Sequence, residues 1–389
     1  MLPSRFALNA FFSENPTFPV TLPADRARTF HQSLPFYRPT PLIARPALAA
    51  QLGIKNIFVK DESQRFGLKA FKVIGALYAI YRFLDQRRLK DDGESLKSSD
   101  LFSKQARRRL HDDVLTTATD GNHGRAVAWV AKRLGLRAVI FVPENMADVR
   151  RKAIEKEGAR IVVVHGHYDA AVEAMAQQAQ QHGWHIISDT AWPGYEEIPQ
   201  WIMTGYQTIF FEIDEEMSDK PDFVFIQAGV GGLAAAAADY FVKKHRSAVP
   251  ELVCVEPLDA DCLLESIVAG GGETAAAKGR QNSIMSGLNC GTPSSLAWPF
   301  VKHSFRAFLA IDDGWAGQAM RALYNPAASE KSIVSGESGA AGLAGLMALL
   351  QEDGLQEARK KLGLNEQSTV LVINTEGDTD PENFARIVG

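Results

Sequence analysis

The chain has 389 residues, 46% hydrophobic and 23% charged, which is the make-up of an ordinary soluble globular protein long enough for two lobes around one cleft. Its 42 Lys plus Arg against 46 Asp plus Glu leave a formal charge of -4, so no basic field is on offer to a nucleic-acid backbone. Cys254, Cys262 and Cys290 are too few for a disulfide framework and form no CxxC pair, which points to a reducing cytoplasm.

Near the start, Ser13 and Glu14 interrupt a short apolar run before a signal-peptide core forms, so secretion is not expected. VKDESQRFGLKAFKVIGALYAI, residues 59–80, places Lys72 between Phe71 and Val73 at the head of a predicted buried helix. Burying an unpaired ammonium is costly and depresses its pKa, which suits an amine that forms a Schiff base. Snorkelling to the surface is the competing reading, and Lys60 and Lys69 read as surface or helix-start residues. DQRRLKDDGESLKSSD, residues 85–100, reads as a surface connection between lobes.

From Asp113 onward short β-rich runs alternate with helical stretches, the pattern of parallel sheet with crossover helices. VLTTAT (114–119) is a predicted strand, and NHGRAVAWVAKRLG repeats Ala126, Val130 and Leu134 along one helix face. AVIFV (138–142), a polar-faced helix stopping at Gly158, IVVV (161–164) and HIIS (185–188) continue the rhythm. A second series runs through FVFIQ (223–227), a glycine loop, an alanine-rich helix to Lys244 and LVCVE (252–256), with TVLVIN (369–374) as a late central strand. The stretch 223–238 is the most apolar, yet Gln227 and its glycines interrupt it and it is shorter than a membrane span needs.

Two of these junctions carry chemistry. In TATDGNHGRAVAW, a strand running into DGNHG and a helix presents amides and the Asn122 side chain where an anionic oxygen is favoured. The plainer reading makes Asp120 a turn residue and Asn122 an N-cap. In QAGVGGLAAAA, glycines let amides approach phosphate oxygens with no Cβ in the way, though a structural turn is the alternative. GVGGL lacks both the GxGxxG spacing and a GK[ST] ending, and a nicotinamide-dependent reading accounts for neither Lys72 nor DGNHG.

Taken in order, AFKVIGA, TDGNHG, AGVGG, SGESG and NTEGDTD resemble the motif set of the tryptophan-synthase-β and threonine-dehydratase family of pyridoxal-phosphate enzymes, fold type II. The similarity is closer still to that family's diaminopropionate ammonia-lyases, through YRPTPL (37–42), KDESQRFGLKAFK (60–72), TTATDGNHGRAVAW, DTAWPGYEEIPQWIMTGY (189–206) and SGESGAAGL (335–343). The resemblance spans nearly the whole chain, from about Phe30 to Asp380.

It implies an α/β fold of two lobes, each with a twisted, mainly parallel sheet flanked by helices. Residues 1–90 and 205–389 would form the large cofactor-binding domain and 91–204 the small one. It implies pyridoxal 5'-phosphate, with Lys72 as the Schiff-base lysine, Asn122 on the phenolic oxygen, and Gly229, Val230, Gly231, Gly232 and Leu233 around the phosphate. Where the family usually has a neutral Ser or Thr at the pyridine nitrogen, this chain has Asn374 with Thr375 beside it. A neutral partner leaves that nitrogen unprotonated and favours prompt loss of a β-substituent.

Many relatives have serine where this chain has Asp120. A β-amino group leaves well only as ammonia, so a carboxylate that holds the β-ammonium or returns a proton suits 2,3-diaminopropionate. The implied reaction is its elimination through an aminoacrylate to pyruvate and ammonia, Lys72 taking the Cα proton of the L-enantiomer and Asp120 that of the D-enantiomer. Asp189 is a second catalytic candidate, or else a loop cap. Thr119, Asp120, Asp189 and Ser338 are the candidate substrate contacts. Glu337 is a further polar wall, and helix capping is the other reading of Ser338. A serine or threonine dehydratase is the alternative within the fold. Cys262 and Cys290 form a labile disulfide or stay as buried thiols. A homodimer is implied, and no metal, nucleic acid or membrane partner is assigned.

Overall fold

The valine- and isoleucine-rich runs are strands, and most of their residues lose all contact with solvent. The computed structural model describes residues 1–104, 113–166, 168–327 and 330–389. Its strands are β1 (Arg5–Leu8), β2 (Leu42–Ala44), β3 (Asn56–Asp61), β4 (Val114–Ala118), β5 (Arg137–Pro143) and β6 (Arg160–Val164), followed by β7 (His185–Ile186), β8 (Phe223–Gln227), β9 (Glu251–Pro257), β10 (Phe305–Ile311) and β11 (Thr369–Asn374). The chain packs into two units, one of residues 1–21, 39–70 and 209–389, the other of 22–38 and 71–208. The stretch 91–204 lies wholly inside the second.

The first unit carries a seven-stranded sheet in the order β1-β10-β9-β8-β11-β3-β2. Its inner pairs are parallel, and only the edge pairs β1 with β10 and β2 with β3 are antiparallel. Helices cover both faces of such a sheet, so its central strands read as unbroken apolar runs: every residue of β8 and of β11 is buried. One face packs Phe225, Val253, Leu309 and Val372 against the helices Asp313–Tyr324 and Ala341–Gln351.

A buried ionic network lies in the same unit. Arg65 is fully enclosed, its Nη1 and Nη2 each 2.8 Å from a Glu212 oxygen and its Nε 2.8 Å from Glu62 Oε2. Lys60, expected at the surface, is instead completely buried in β3, with Nζ 3.0 Å from Glu212 and 2.8 Å from Glu216. An ammonium survives there because two carboxylates and the Thr40 carbonyl, at 2.6 Å, replace its water.

The second unit holds a parallel four-stranded sheet in the order β6-β5-β4-β7. HIIS gives only two residues of strand, after which Ile187 still donates to the Thr116 carbonyl. The expected surface connection at 85–100 is corrected in its first half: the helix opened by Lys72 runs to Asp92. DQRRLKDD contains good helix formers and no breaker, and the helix stops only at Gly93, which takes the left-handed conformation with φ 73°. This helix crosses Glu197–Glu216 at two glycines. A Cβ on Gly75 would lie 2.4 Å from Tyr206 Cε1, and one on Gly205 would lie 2.8 Å from the Gly75 Cα, so only hydrogen fits at either position.

Candidate active site

Lys72 is the first residue of its helix, and its ammonium turns inward rather than to solvent. Nζ donates to Asp189 Oδ2 at 2.5 Å and lies 5.4 Å from the centre of the Phe71 ring. Snorkelling is thereby set aside. Burial pulls the Lys72 pKa down, but the charges of Asp189, Tyr206 and Asp120 outweigh it and hold the group well above an ordinary lysine. The expectation of a depressed pKa is corrected accordingly: burial alone would depress it, and the carboxylates beside Nζ reverse the sign.

Those carboxylates differ from each other. For Asp189, burial favours the neutral form, yet the charge of Lys72 and its hydrogen bond hold it well below the usual carboxylate range. Asp120 is pushed up to about 6, because burial, with some repulsion from Asp189, exceeds the pull of Lys72 and Arg150. One acid is therefore fixed as an anion while its neighbour titrates near neutrality.

The strand-to-helix turn that carries Asp120 is tied by Thr119, whose Oγ1 accepts from Gly121 N at 2.9 Å and Gly124 N at 3.0 Å. The helix begins at Asn122 with Gly121 as its cap residue, so Asn122 stands inside the first turn and is not the N-cap. Three neighbours were not singled out from the sequence. His123 is buried; its Nε2 meets the Ile187 carbonyl at 2.7 Å, and its Nδ1, without a hydrogen-bond partner, lies 3.9 Å from Asp189 Oδ2. The Tyr206 hydroxyl and Arg150 Nη1 are likewise buried without a partner of good geometry, and Arg150 Cδ would come within 3.4 Å of a Cβ on Gly121. The signal for His123 was its place directly after Asn122. That for Tyr206 was its place at the end of the 189–206 motif, and Arg150 had none, since it lies outside every motif.

The first unit carries a second set of candidates. Gly229 to Leu233 lead into the helix Gly232–His245, with Gly231 at φ +99° as its cap residue. A Cβ on Gly229 would stand 2.8 Å from Cys290 Sγ, so the loop has no space for a side chain there. Bare amides at a helix N-terminus fit a phosphate. Behind the loop, Gln227 Nε2 donates to the Ser338, Gly339 and Ile373 carbonyls and to Thr375 Oγ1, all within 3.0 Å.

Asn374 Nδ2 is committed to Asp61 Oδ1 at 2.8 Å and the Val334 carbonyl at 3.1 Å, leaving buried Oδ1 as its open atom. An unprotonated ring nitrogen needs a donor, which that oxygen is not. Ser338 Oγ accepts from Gly287 N at 3.0 Å and keeps its own proton, while Thr375 Oγ1 accepts from Gln227 Nε2 and donates over 3.5 Å to the Ser338 carbonyl, so neutral hydroxyls are at hand. Ser338 is not a helix cap, because the helix that follows starts at Ala341 behind Ala340. Glu337 is buried and accepts from Asn383 Nδ2. Cys262 is a buried thiol 3.9 Å from the Gly229 carbonyl, and burial raises its pKa. Among the described residues no group of side chains could hold a metal ion, and no helix is long and apolar enough to cross a membrane.

The pyridoxal-phosphate dependent enzyme family matches residues 34–376. The diaminopropionate ammonia-lyase of Salmonella typhimurium is 40% identical over 364 residues, covering 92% of this chain and 90% of the relative. That of Escherichia coli K12 is 42% identical over 368 residues, covering 94% and 91%. The crystal structure of the Escherichia coli enzyme with an aminoacrylate-PLP azomethine reaction intermediate has a TM-score of 0.90 at 41% identity, covering 100% of this chain and 97% of that one. Threonine deaminase isoform 2 from Solanum lycopersicum, with a TM-score of 0.72 at 20% identity over 100% of this chain and 98% of that one, shares the fold alone. The family match and the similarity along nearly the whole chain agree: the chain belongs to the pyridoxal-phosphate dependent enzymes of fold type II, and pyridoxal 5'-phosphate is its cofactor.

Proposed function

We propose that this chain is a diaminopropionate ammonia-lyase, which eliminates the β-amino group of D- or L-2,3-diaminopropionate to leave pyruvate and ammonia. The observation that carries the reading is the pair of half-buried carboxylates that act on Lys72, one held ionised and one titrating at about 6. When bound, pyridoxal phosphate supplies the electron sink that acidifies Cα and lets a β-substituent leave.

The residues divide the remaining work. Lys72 would hold the cofactor, and its free amine would take the Cα proton of the L-enantiomer. Asp189 stays an anion and holds the resulting ammonium at Nζ. Asp120 gains and loses a proton near neutrality, so it returns one to the departing amino group or, with the D-enantiomer, removes the Cα proton. Asn122, Asn374 and Thr375 would hold the cofactor's ring, and Gly229, Val230, Gly231, Gly232 and Leu233 would hold its phosphate. Thr119 and Ser338 complete the substrate contacts. A serine or threonine substrate offers Asp120 a neutral hydroxyl to protonate, whereas diaminopropionate also offers a cationic β-ammonium for its carboxylate to hold.

The test is pyruvate release from D- and L-diaminopropionate, serine and threonine by the holoenzyme. Diaminopropionate should be preferred by at least about tenfold in kcat/KM, the effect of about 1.4 kcal/mol of differential transition-state binding. Faster turnover of serine overturns the reading. The same reading takes a cytoplasmic location, supported by the buried thiols of Cys254 and Cys262, and a homodimer, supported by the resemblance and open to light scattering.

A further inference from the structure

Asp189 sits where regular structure is thinnest: β7 ends at Ile186 and the next helix begins at Glu197. Its carboxylate is nonetheless held 2.5 Å from Lys72 Nζ. Three anchors account for this. Ile187 N donates to the Thr116 carbonyl at 2.8 Å, and the Ile187 carbonyl accepts from His123 Nε2 at 2.7 Å. The third anchor is Tyr195, whose hydroxyl accepts from Ser188 N at 2.8 Å and donates to the Ile186 carbonyl at 2.9 Å.

One hydroxyl thus satisfies backbone groups on both sides of Ile187 and closes the chain from Ile186 to Tyr195 into a ring with Asp189 on its rim. The phenol is itself fixed. Its ring stacks on Trp192 with centroids 4.2 Å apart and an angle of 14°, and Tyr195 N donates to the Trp192 carbonyl at 2.8 Å. The stack sets the ring, the ring sets the hydroxyl, and the hydroxyl sets the peptide that precedes Asp189.

We propose that Tyr195 is a positioning residue for Asp189, aiming its carboxylate at Lys72 through the backbone of Ser188. The proposal rests on the reading of Lys72 and Asp189 as working groups. It does not depend on which amino acid is turned over.

Tyr195→Phe keeps the ring and its stack and removes only the oxygen. In the holoenzyme, kcat should fall about tenfold to a hundredfold, the size of effect that a misplacement of about 1 Å produces, with KM changed less than about twofold. The pH midpoint of the bound cofactor's absorbance should fall as well, since a more distant carboxylate supports a positive charge on the lysine nitrogen less well. In an Asp189→Asn background, Tyr195→Phe should move that midpoint no further. An unchanged midpoint and kcat in Tyr195→Phe, or an equal added shift in the Asp189→Asn background, overturns the proposal.

If Tyr195→Phe does not accumulate as folded protein, Trp192→Leu, which loosens the ring and keeps the hydroxyl, decides by the same readings. Should serine prove the better substrate while the absorbance coupling persists, the proposed substrate fails and the positioning role stands.

Discussion

His123 Nδ1 stands 3.9 Å from Asp189 Oδ2, while the Nε2 of the same ring meets the Ile187 carbonyl at 2.7 Å. A carbonyl only accepts, so the ring proton belongs to Nε2 and a lone pair faces the carboxylate. Burial, partly offset by Asp189, keeps the imidazole neutral below its ordinary range. An unfolded chain would protonate His123 first as pH drops, so this residue's contribution to stability is present above its ordinary pKa and is lost as pH falls through it. Denaturant unfolding between pH 5 and 8 should therefore show His123→Gln losing less stability toward acid than the unmodified protein.

Asp120 behaves in the opposite sense. Its pKa is raised from 3.8 to about 6, so between those values the folded protein holds a proton that the unfolded chain has released. Stability from this group falls as pH rises through that window and is level above it. Asp120→Asn should remove the slope in unfolding measurements on the protein without cofactor. In the holoenzyme the same substitution should erase an acid limb near pH 6 from the profile of kcat/KM. Its effect should also be larger for the D-enantiomer; equal losses for both would reject the assignment of opposite faces.

Gly229→Ala places a methyl group 2.8 Å from Cys290 Sγ, closer than real contacts allow. The loop must shift, and its amides lose their aim at a phosphate. Affinity for pyridoxal phosphate, followed by absorbance titration, should drop about tenfold or more, the equivalent of about 1.4 kcal/mol. Cys290→Ala combined with Gly229→Ala makes room and should recover much of that loss.

Glu212 holds Arg65 and Lys60 together, and none of the three reaches solvent to any useful degree. Glu212→Ala takes one of two carboxylates from a buried guanidinium and from a buried ammonium at once, leaving Glu62 to the first and Glu216 to the second. The expected destabilisation is about 3–5 kcal/mol, the range found when one member of a buried ion pair is removed. A shift of the urea midpoint at unchanged slope would measure it.

Legibility in the sequence followed burial and distance along the chain. β8 and β11 were read to the residue because strands covered on both faces are uninterrupted apolar runs. β10 was not read, since Arg306 breaks its run, and β1 is a four-residue edge strand with no buried position. The helix to Asp92 was cut short because a charged, exposed stretch looks like a loop unless helix propensity is weighed against polarity. Lys72 and DGNHG stood out as local motifs. Within DGNHG the part of His123 did not show, nor did those of Arg150 and Tyr206, because what sets each apart is an unpartnered buried atom, which only the folded chain reveals. The same holds for Lys60, whose carboxylates come from a helix far downstream.

β11 pairs with β3 on one side and with β8 on the other. β11 is thus the wedge between two strands that leave the ribosome long before it, and Asn56–Asp61 and Phe223–Gln227 must wait with bare edges until residues 369–374 arrive. The larger sheet can close only once residues 369–374 have been made, so a chain stopped before Thr369 would expose two apolar strand edges and be a target for chaperones rather than a shortened enzyme.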